Sequence, residues 1–153
     1  GRGNCYYQIE DFNKALRDYD KAVELFKENP ELWYAKADAE YNLGRMHESI
    51  VSYKTVLKLS PDNHQASLDL ANTYIDTEQF KLADEILTML IGLKTAWAEP
   101  YYAKAKLYFL MAEVELGLKY IEMAFMINPN ERFEFDFERD WEKVLQFLIA
   151  RDN

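Results

Sequence analysis

The chain has 153 residues, enough for one domain with a sizeable core, and a hydrophobic share of 49% places it with folded globular proteins rather than disordered ones. Its formal net charge of −9 leaves no basic footprint for a phosphate backbone, so nucleic acid is not an expected partner. A single cysteine, Cys5, excludes an internal disulfide framework, and no apolar run approaches the roughly 20 residues that insertion into a bilayer needs.

The predicted elements are helices, arranged in units. Residues 1–29 form a partial unit, in which Arg2-Gly3-Asn4-Cys5-Tyr6-Tyr7 reads as the second half of a first helix. The chain starts with Gly1 instead of Met and in the middle of this unit, so further sequence is expected upstream. Its second helix carries Phe12, Ala15, Tyr19, Ala22 and Leu25 at the three- and four-residue spacing of one helix face. A full unit over 30–63 opens at Asn29-Pro30, a polar cap candidate followed by proline. A break at Asn42-Leu43-Gly44-Arg45 separates its two helices. The unit 64–97 follows Ser60-Pro61-Asp62, and the unit 98–131 reaches Asn128-Pro129.

Sliding the sequence against itself by 34 residues brings small side chains into coincidence at Ala15, Ser49, Ala83 and Gly117. Four residues on stand Tyr19, Tyr53, Leu87 and Ile121; in the first helices the small places are Gly3, Ala37, Ala71 and Ala105. Small residues at fixed places let helix backbones approach, and the bulky residues beside them fill the remaining gap. One such helix pair cannot bury its own apolar face, so successive units are expected to stack.

Residues 130–153 leave this register, since Glu138, Arg139 and Glu142 fall where small or apolar contacts are due. Arg132-Phe133-Glu134-Phe135-Asp136-Phe137-Glu138 alternates with period two. It has two readings: self-association through the groove of a neighbouring chain, or docking of its three Phe side chains on the last unit. The second is favoured, because the end of a stacked array must be covered. Trp141, Val144, Leu145, Leu148 and Ile149 then form an amphipathic stripe, capped by Asp140, that is expected to cover the last apolar face.

Nothing in the sequence points to catalysis. His47 and His64 lack a further Cys or His at ligand spacing, so no metal site is expected. Cys5 reads as buried filler, and Met111, Met123 and Met126 as core residues. There is no Gly-rich phosphate loop, nucleophile elbow or His-Glu-x-x-His, so no cofactor is expected.

The repeated places resemble the tetratricopeptide repeat, whose 34-residue pattern reads W-x2-L-G-x2-Y, A-x3-F and P. Trp33 and Tyr101 fill the opening aromatic place, Tyr6, Tyr74 and Tyr108 the following Tyr, and Pro61 and Pro129 the closing proline. Ala15 with Tyr19, Ser49 with Tyr53 and Ala83 with Leu87 match the A-x3-F step. Ser67, Glu40, Lys27 and Thr95 depart from the pattern. The resemblance covers residues 1–129 and implies an all-α fold: a right-handed α-solenoid of antiparallel helix pairs, closed by a capping helix within 130–153.

By the same resemblance, the first helix of each pair lines a concave groove that receives a protein or peptide segment. The places carried over are Tyr7 in the partial unit, then Tyr34, Asp38, Tyr41 and Asn42. Leu68, Asn72 and Asp76 follow, then Tyr102, Lys106 and Phe109. Acids outnumber Lys106 on this face, which implies an apolar partner segment with basic character. Some members of the family clamp acidic chaperone tails with Lys, Asn and Arg. Here Tyr34, Ala35, Asp38, Leu68, Asp69 and Ala103 occupy places where cations or amides are wanted, so that subtype is rejected. The expected role is a non-enzymatic interaction scaffold; the alternative is a regulatory or oligomerisation module of a larger protein. A cytoplasmic setting is favoured, although an upstream segment would decide it.

Overall fold

The computed structural model describes residues 2–93 and 96–129, with side chains from residue 9 onward. The side chains of Cys5 and Tyr7, the capping helix and the 132–138 segment lie outside the described residues. Among the described residues there are seven α-helices and no strand: α1 (Arg2–Leu25), α2 (Pro30–Asn42), α3 (Met46–Leu59), α4 (His64–Asp76), α5 (Phe80–Leu93), α6 (Ala98–Leu110) and α7 (Val114–Ile127). None is long and apolar enough to cross a membrane.

Local chemistry sets the helix ends. Asn29 caps α2 by accepting the Glu31 amide on Oδ1 at 3.0 Å, with Pro30 pre-set for the first helical position. Asn63 caps α4 in the same way through the Ala66 amide, also at 3.0 Å. The turns inside the pairs repeat as well. Gly44, Glu78 and Ala112, each 34 residues from the next, all adopt positive φ of 77°, 61° and 63°. One residue later the amides of Arg45, Gln79 and Glu113 return to the carbonyls of Glu40, Tyr74 and Tyr108 at 2.8–2.9 Å. That left-handed cap satisfies carbonyls that a helix end would otherwise leave open.

The first unit departs from expectation. Glu10 stands at the corresponding place, yet α1 runs unbroken from Arg2 to Leu25. A left-handed non-glycine residue costs about 1–2 kcal/mol. At 78 and 112 the packing of a helix pair offsets that cost.

Two compact units emerge, Gly1–Gln79 and Phe80–Asn153. In the first, α1 packs on α2, α2 on α3 and α3 on α4. Its core includes Leu16, Val23, Ala37, Tyr53, Val56, Ala71 and Tyr74. The small place at Ser49 is fully buried, and its hydroxyl donates to the Ala37 carbonyl across the pair at 3.0 Å. Glu40 stands where the repeat pattern has Tyr; it is buried and accepts from Ser52, and burial pushes its carboxyl above the usual range.

In the second unit, α5 packs on α6 and α6 on α7 around Ala83, Leu87, Leu90, Ala105, Leu107 and Ala124. Lys104 is buried there. Its ammonium donates to Thr88 Oγ1 at 2.7 Å, pairs with Asp84 at 3.5 Å and lies 5.2 Å from the centre of the Tyr120 ring. A buried cation held by a hydroxyl, a carboxylate and aromatic faces ties α5 to α6 without leaving an orphan charge.

Candidate functional site

The first-helix face of residues 1–79 is built by α2 and α4. Tyr34 donates its hydroxyl to Asp69 Oδ2, and Tyr41 donates to Asp76 Oδ2. Both pairs are separated by 35 residues, one more than the repeat, so each tyrosine of α2 reaches the helix one unit on. Gln65 adds a bond to the other Asp69 oxygen at 3.3 Å. The Tyr34 ring meets the edge of Tyr53 with centroids 5.8 Å apart and planes at 69°. That edge-to-face contact fixes where the hydroxyl stands. Asn42 is turned back on its own helix, donating to the Asp38 carbonyl at 2.7 Å.

Burial and acid neighbours set the electrostatics. Desolvation first, then the hydrogen bond and charge of Asp69, push the Tyr34 hydroxyl far above the ordinary tyrosine value. Desolvation likewise raises Asp38 and Asp69, and the charge of Asp38 raises Asp69 further. Among the described residues no cation pairs with Asp38, Asp69 or Asp76; the ion pairs run instead through Lys14, Lys36, Arg45 and Lys104. The face therefore presents aromatic area with uncompensated carboxylates beside it. No group of three or more His, Cys, Asp or Glu able to hold a metal occurs among the described residues.

The structure brings Tyr34, Asp38, Tyr41, Asn42, Asn72 and Asp76 onto α2 and α4 with at least part of each side chain exposed. Two expected face residues belong to the core instead. Leu68 is buried, in keeping with an isobutyl group on a helix covered at Ala66, Ser67, Leu70 and Ala71 as well. Phe109 is 1% exposed because Gly117 leaves a hollow for its ring. A Cβ at 117 would lie 2.5 Å from Phe109 Cε1. In residues 80–153 this leaves Tyr102, which also packs against the Ala105–Phe109–Ile121 cluster, and the half-exposed Lys106. Asp69 was read from the sequence only as an acid where a cation or amide is wanted, and its bond with Tyr34 was not expected. The 35-residue spacing between Tyr34 and Asp69, repeated by Tyr41 and Asp76, is the signal that finds it.

Two models of the tetratricopeptide repeat match the chain, over residues 1–29 and 44–107, together more than half its length. No curated protein sequence matches it. Among solved structures, MamA 41-end from Desulfovibrio magneticus RS-1 is similar at 23% identity with a TM-score of 0.72, covering 99% of this chain and 95% of that one. A crystal structure of MamA is similar at 22% identity and TM-score 0.73, covering 94% and 80%. The first TPR of Spaghetti (RPAP3) bound to the HSP90 peptide SRMEEVD is similar at 19% identity and TM-score 0.64, covering 78% and 93%. At these identities the likeness establishes the fold, the all-α helical-repeat class.

Proposed function

The chain belongs to the tetratricopeptide repeat family, and from that premise we propose that this protein-interaction scaffold holds an apolar partner segment carrying basic side chains against the α2–α4 face. The observation that supports it most is the pair of tyrosine–aspartate contacts, Tyr34 with Asp69 and Tyr41 with Asp76. Each contact presents a rigid aromatic with a polar tip, which offers large contact area at small entropic cost. Asp38, Asp69 and Asp76 have no cation of their own among the described residues, so an incoming lysine or arginine meets acids already partly desolvated.

The solved complex sharpens the chemistry by contrast. Its peptide, SRMEEVD, is rich in carboxylates. Such a ligand on this face would set acid against Asp38, Asp69 and Asp76, so the proposed specificity is opposite in sign. The role is one of binding, with no catalytic step assigned to any residue. Tyr102 and Lys106 hold the corresponding register places on α6 in residues 80–153.

Fluorescence anisotropy against a panel of short peptides tests it, using the parent and an Asp38→Asn/Asp76→Asn variant. Lysine- or arginine-bearing apolar peptides should bind the parent, lose about tenfold in affinity to the variant and weaken steeply with salt. Preference for acidic peptides, or equal affinity of parent and variant, would sink the reading.

A further inference from the structure

Two repeated places on the second helices change character along the chain. They hold Lys14 and Lys21 in α1 and Glu48 and Thr55 in α3, but Leu82 and Met89 in α5 and Leu116 and Met123 in α7. Leu82 and Met89 are 41% and 47% exposed, and Met126, further along α7, is 84% exposed. Exposed apolar area gathered in one region marks a contact surface. The two helices belong to one compact unit, and both pack on α6. Because α6 turns back on α5 and α7 turns back on α6, α5 and α7 run the same way. Lys104 of α6 joins them: its ammonium donates to Thr88 of α5 at 2.7 Å and lies 5.2 Å from the centre of the Tyr120 ring of α7.

We propose that the outer surface of α5 and α7 is the interface of a homodimer, in which a two-fold axis parallel to both helices lays α5 of each copy over α7 of the other. Such an axis sets each residue of α5 beside the residue 34 places on in the second copy, and makes every contact twice. The residues at those places are complementary. Lys81 meets Glu115 and Glu85 meets Lys119, with opposite charges in both pairs. Gly92, where a Cβ would find nothing within 4 Å, meets the protruding Met126. Between them Leu82 meets Leu116 and Met89 meets Met123.

Lys81, Glu85, Glu115 and Lys119 are all exposed, and none takes part in an ion pair among the described residues. Two cations and two acids offer no field of one sign to a strongly basic or acidic partner. Their alternation suits a surface that carries the same pattern reversed, which the second copy does. Each helix has 14 residues and is about 21 Å long, and neighbouring helices lie about 10 Å apart. A face two helices wide therefore buries roughly 1,000 Å² in total, at the low end of specific interfaces, so the pairing is weak and depends on concentration.

Sedimentation equilibrium of the full chain across a wide concentration range tests the proposal, with Cys5→Ser to prevent disulfide-linked pairs. The parent should dimerise reversibly. Lys81→Glu/Glu85→Lys sets like charges together and should weaken dimerisation about tenfold, and so should Glu115→Lys/Lys119→Glu. Mixed in equal amounts, the two variants should regain the parent's affinity, because each then carries the complement of the other at both contacts. Pairing of α5 with α5, or of α7 with α7, predicts no such rescue. All the substituted positions are exposed, and an unchanged urea midpoint confirms that each variant is folded. A parent that stays monomeric throughout would overturn the proposal and leave the surface to another segment of the chain or to a different protein. A dimer indifferent to the exchanges, or a mixture that regains nothing, would overturn it as well.

Discussion

Tyr41 and Phe109 occupy the same register place, 68 residues apart, and meet opposite fates. Tyr41 stays partly exposed on α2 and donates to Asp76, whereas Phe109 of α6 is buried to its ring tip. The residue eight positions on decides between them. At that place the first unit has Ser49, whose side chain is itself buried and bonded to the Ala37 carbonyl. Gly117 has no side chain there, and the Phe109 ring takes the space. A partly exposed aromatic in one unit is thus a packing residue in another, and at Phe109 the missing side chain of Gly117 on the partner helix makes the room.

The middle member of that small series gives the largest test. Ala83 is fully buried and carries a methyl group where Ser49 has a hydroxyl and Gly117 no side chain. Ala83→Glu would bury an unpaired carboxylate at a helix crossing and should cost several kcal/mol, about 3–5, read as a fall in the urea midpoint. A near-parent midpoint would mean that the place is not a crossing. The next test converts one region into the other. Gly117→Ser imposes the Ser49 solution on the second unit, forces the Phe109 ring out of its hollow and should cost about 1–3 kcal/mol. Adding Phe109→Ala should then cost much less than it does in the parent, because the ring has already lost its place.

The comparison also explains what the sequence could and could not reveal. The pairing of helices was legible because it rests on spacing: small residues at 15, 49, 83 and 117 recur irrespective of what surrounds them. The face was legible at Tyr34, Asp38, Tyr41, Asn72 and Asp76, where first-helix register alone decides exposure. It failed at Leu68 and Phe109, because exposure there depends on a neighbour that register does not weigh. The bond of Asp69 with Tyr34 was hidden by a one-residue offset, since hydroxyl-to-carboxylate reach follows the geometry of two helices and not the repeat length. The unbroken α1 was equally hidden, since Glu10 is the same residue type as Glu78 at the same register place and does not by itself separate a turn from a continuing helix.

The turns supply a smaller test. Only Gly44 meets the left-handed cap without a Cβ, while Glu78 and Ala112 adopt it under strain. Ala112→Gly should therefore stabilise the second unit by about 0.5–1 kcal/mol, although glycine ordinarily weakens a chain by freeing its unfolded state. Gly44→Ala should cost a comparable amount. Opposite signs for the two exchanges in thermal unfolding would confirm that the three turns share one backbone geometry; equal signs would break the equivalence.

The smallest expected effect separates folding from binding on the α2–α4 face. Burial raises the Asp38 carboxyl above its ordinary value of 3.8, so the folded chain holds this proton more tightly than the unfolded chain does. Stability therefore falls as pH rises from about 3.8 through the raised folded value, and the deficit persists at neutral pH. Asp38→Asn removes the ionisation. It should raise neutral-pH stability only slightly, because Asp38 is largely exposed and solvent screens its charge, and the gain should disappear below about pH 4, where the parent is protonated as well. The same substitution removes an acid from the face proposed to receive a basic segment, so affinity should drop while stability climbs. A charge kept at a cost to folding yet useful for recognition predicts those opposite signs; a carboxylate with a purely structural role would give a loss of stability and no change in affinity.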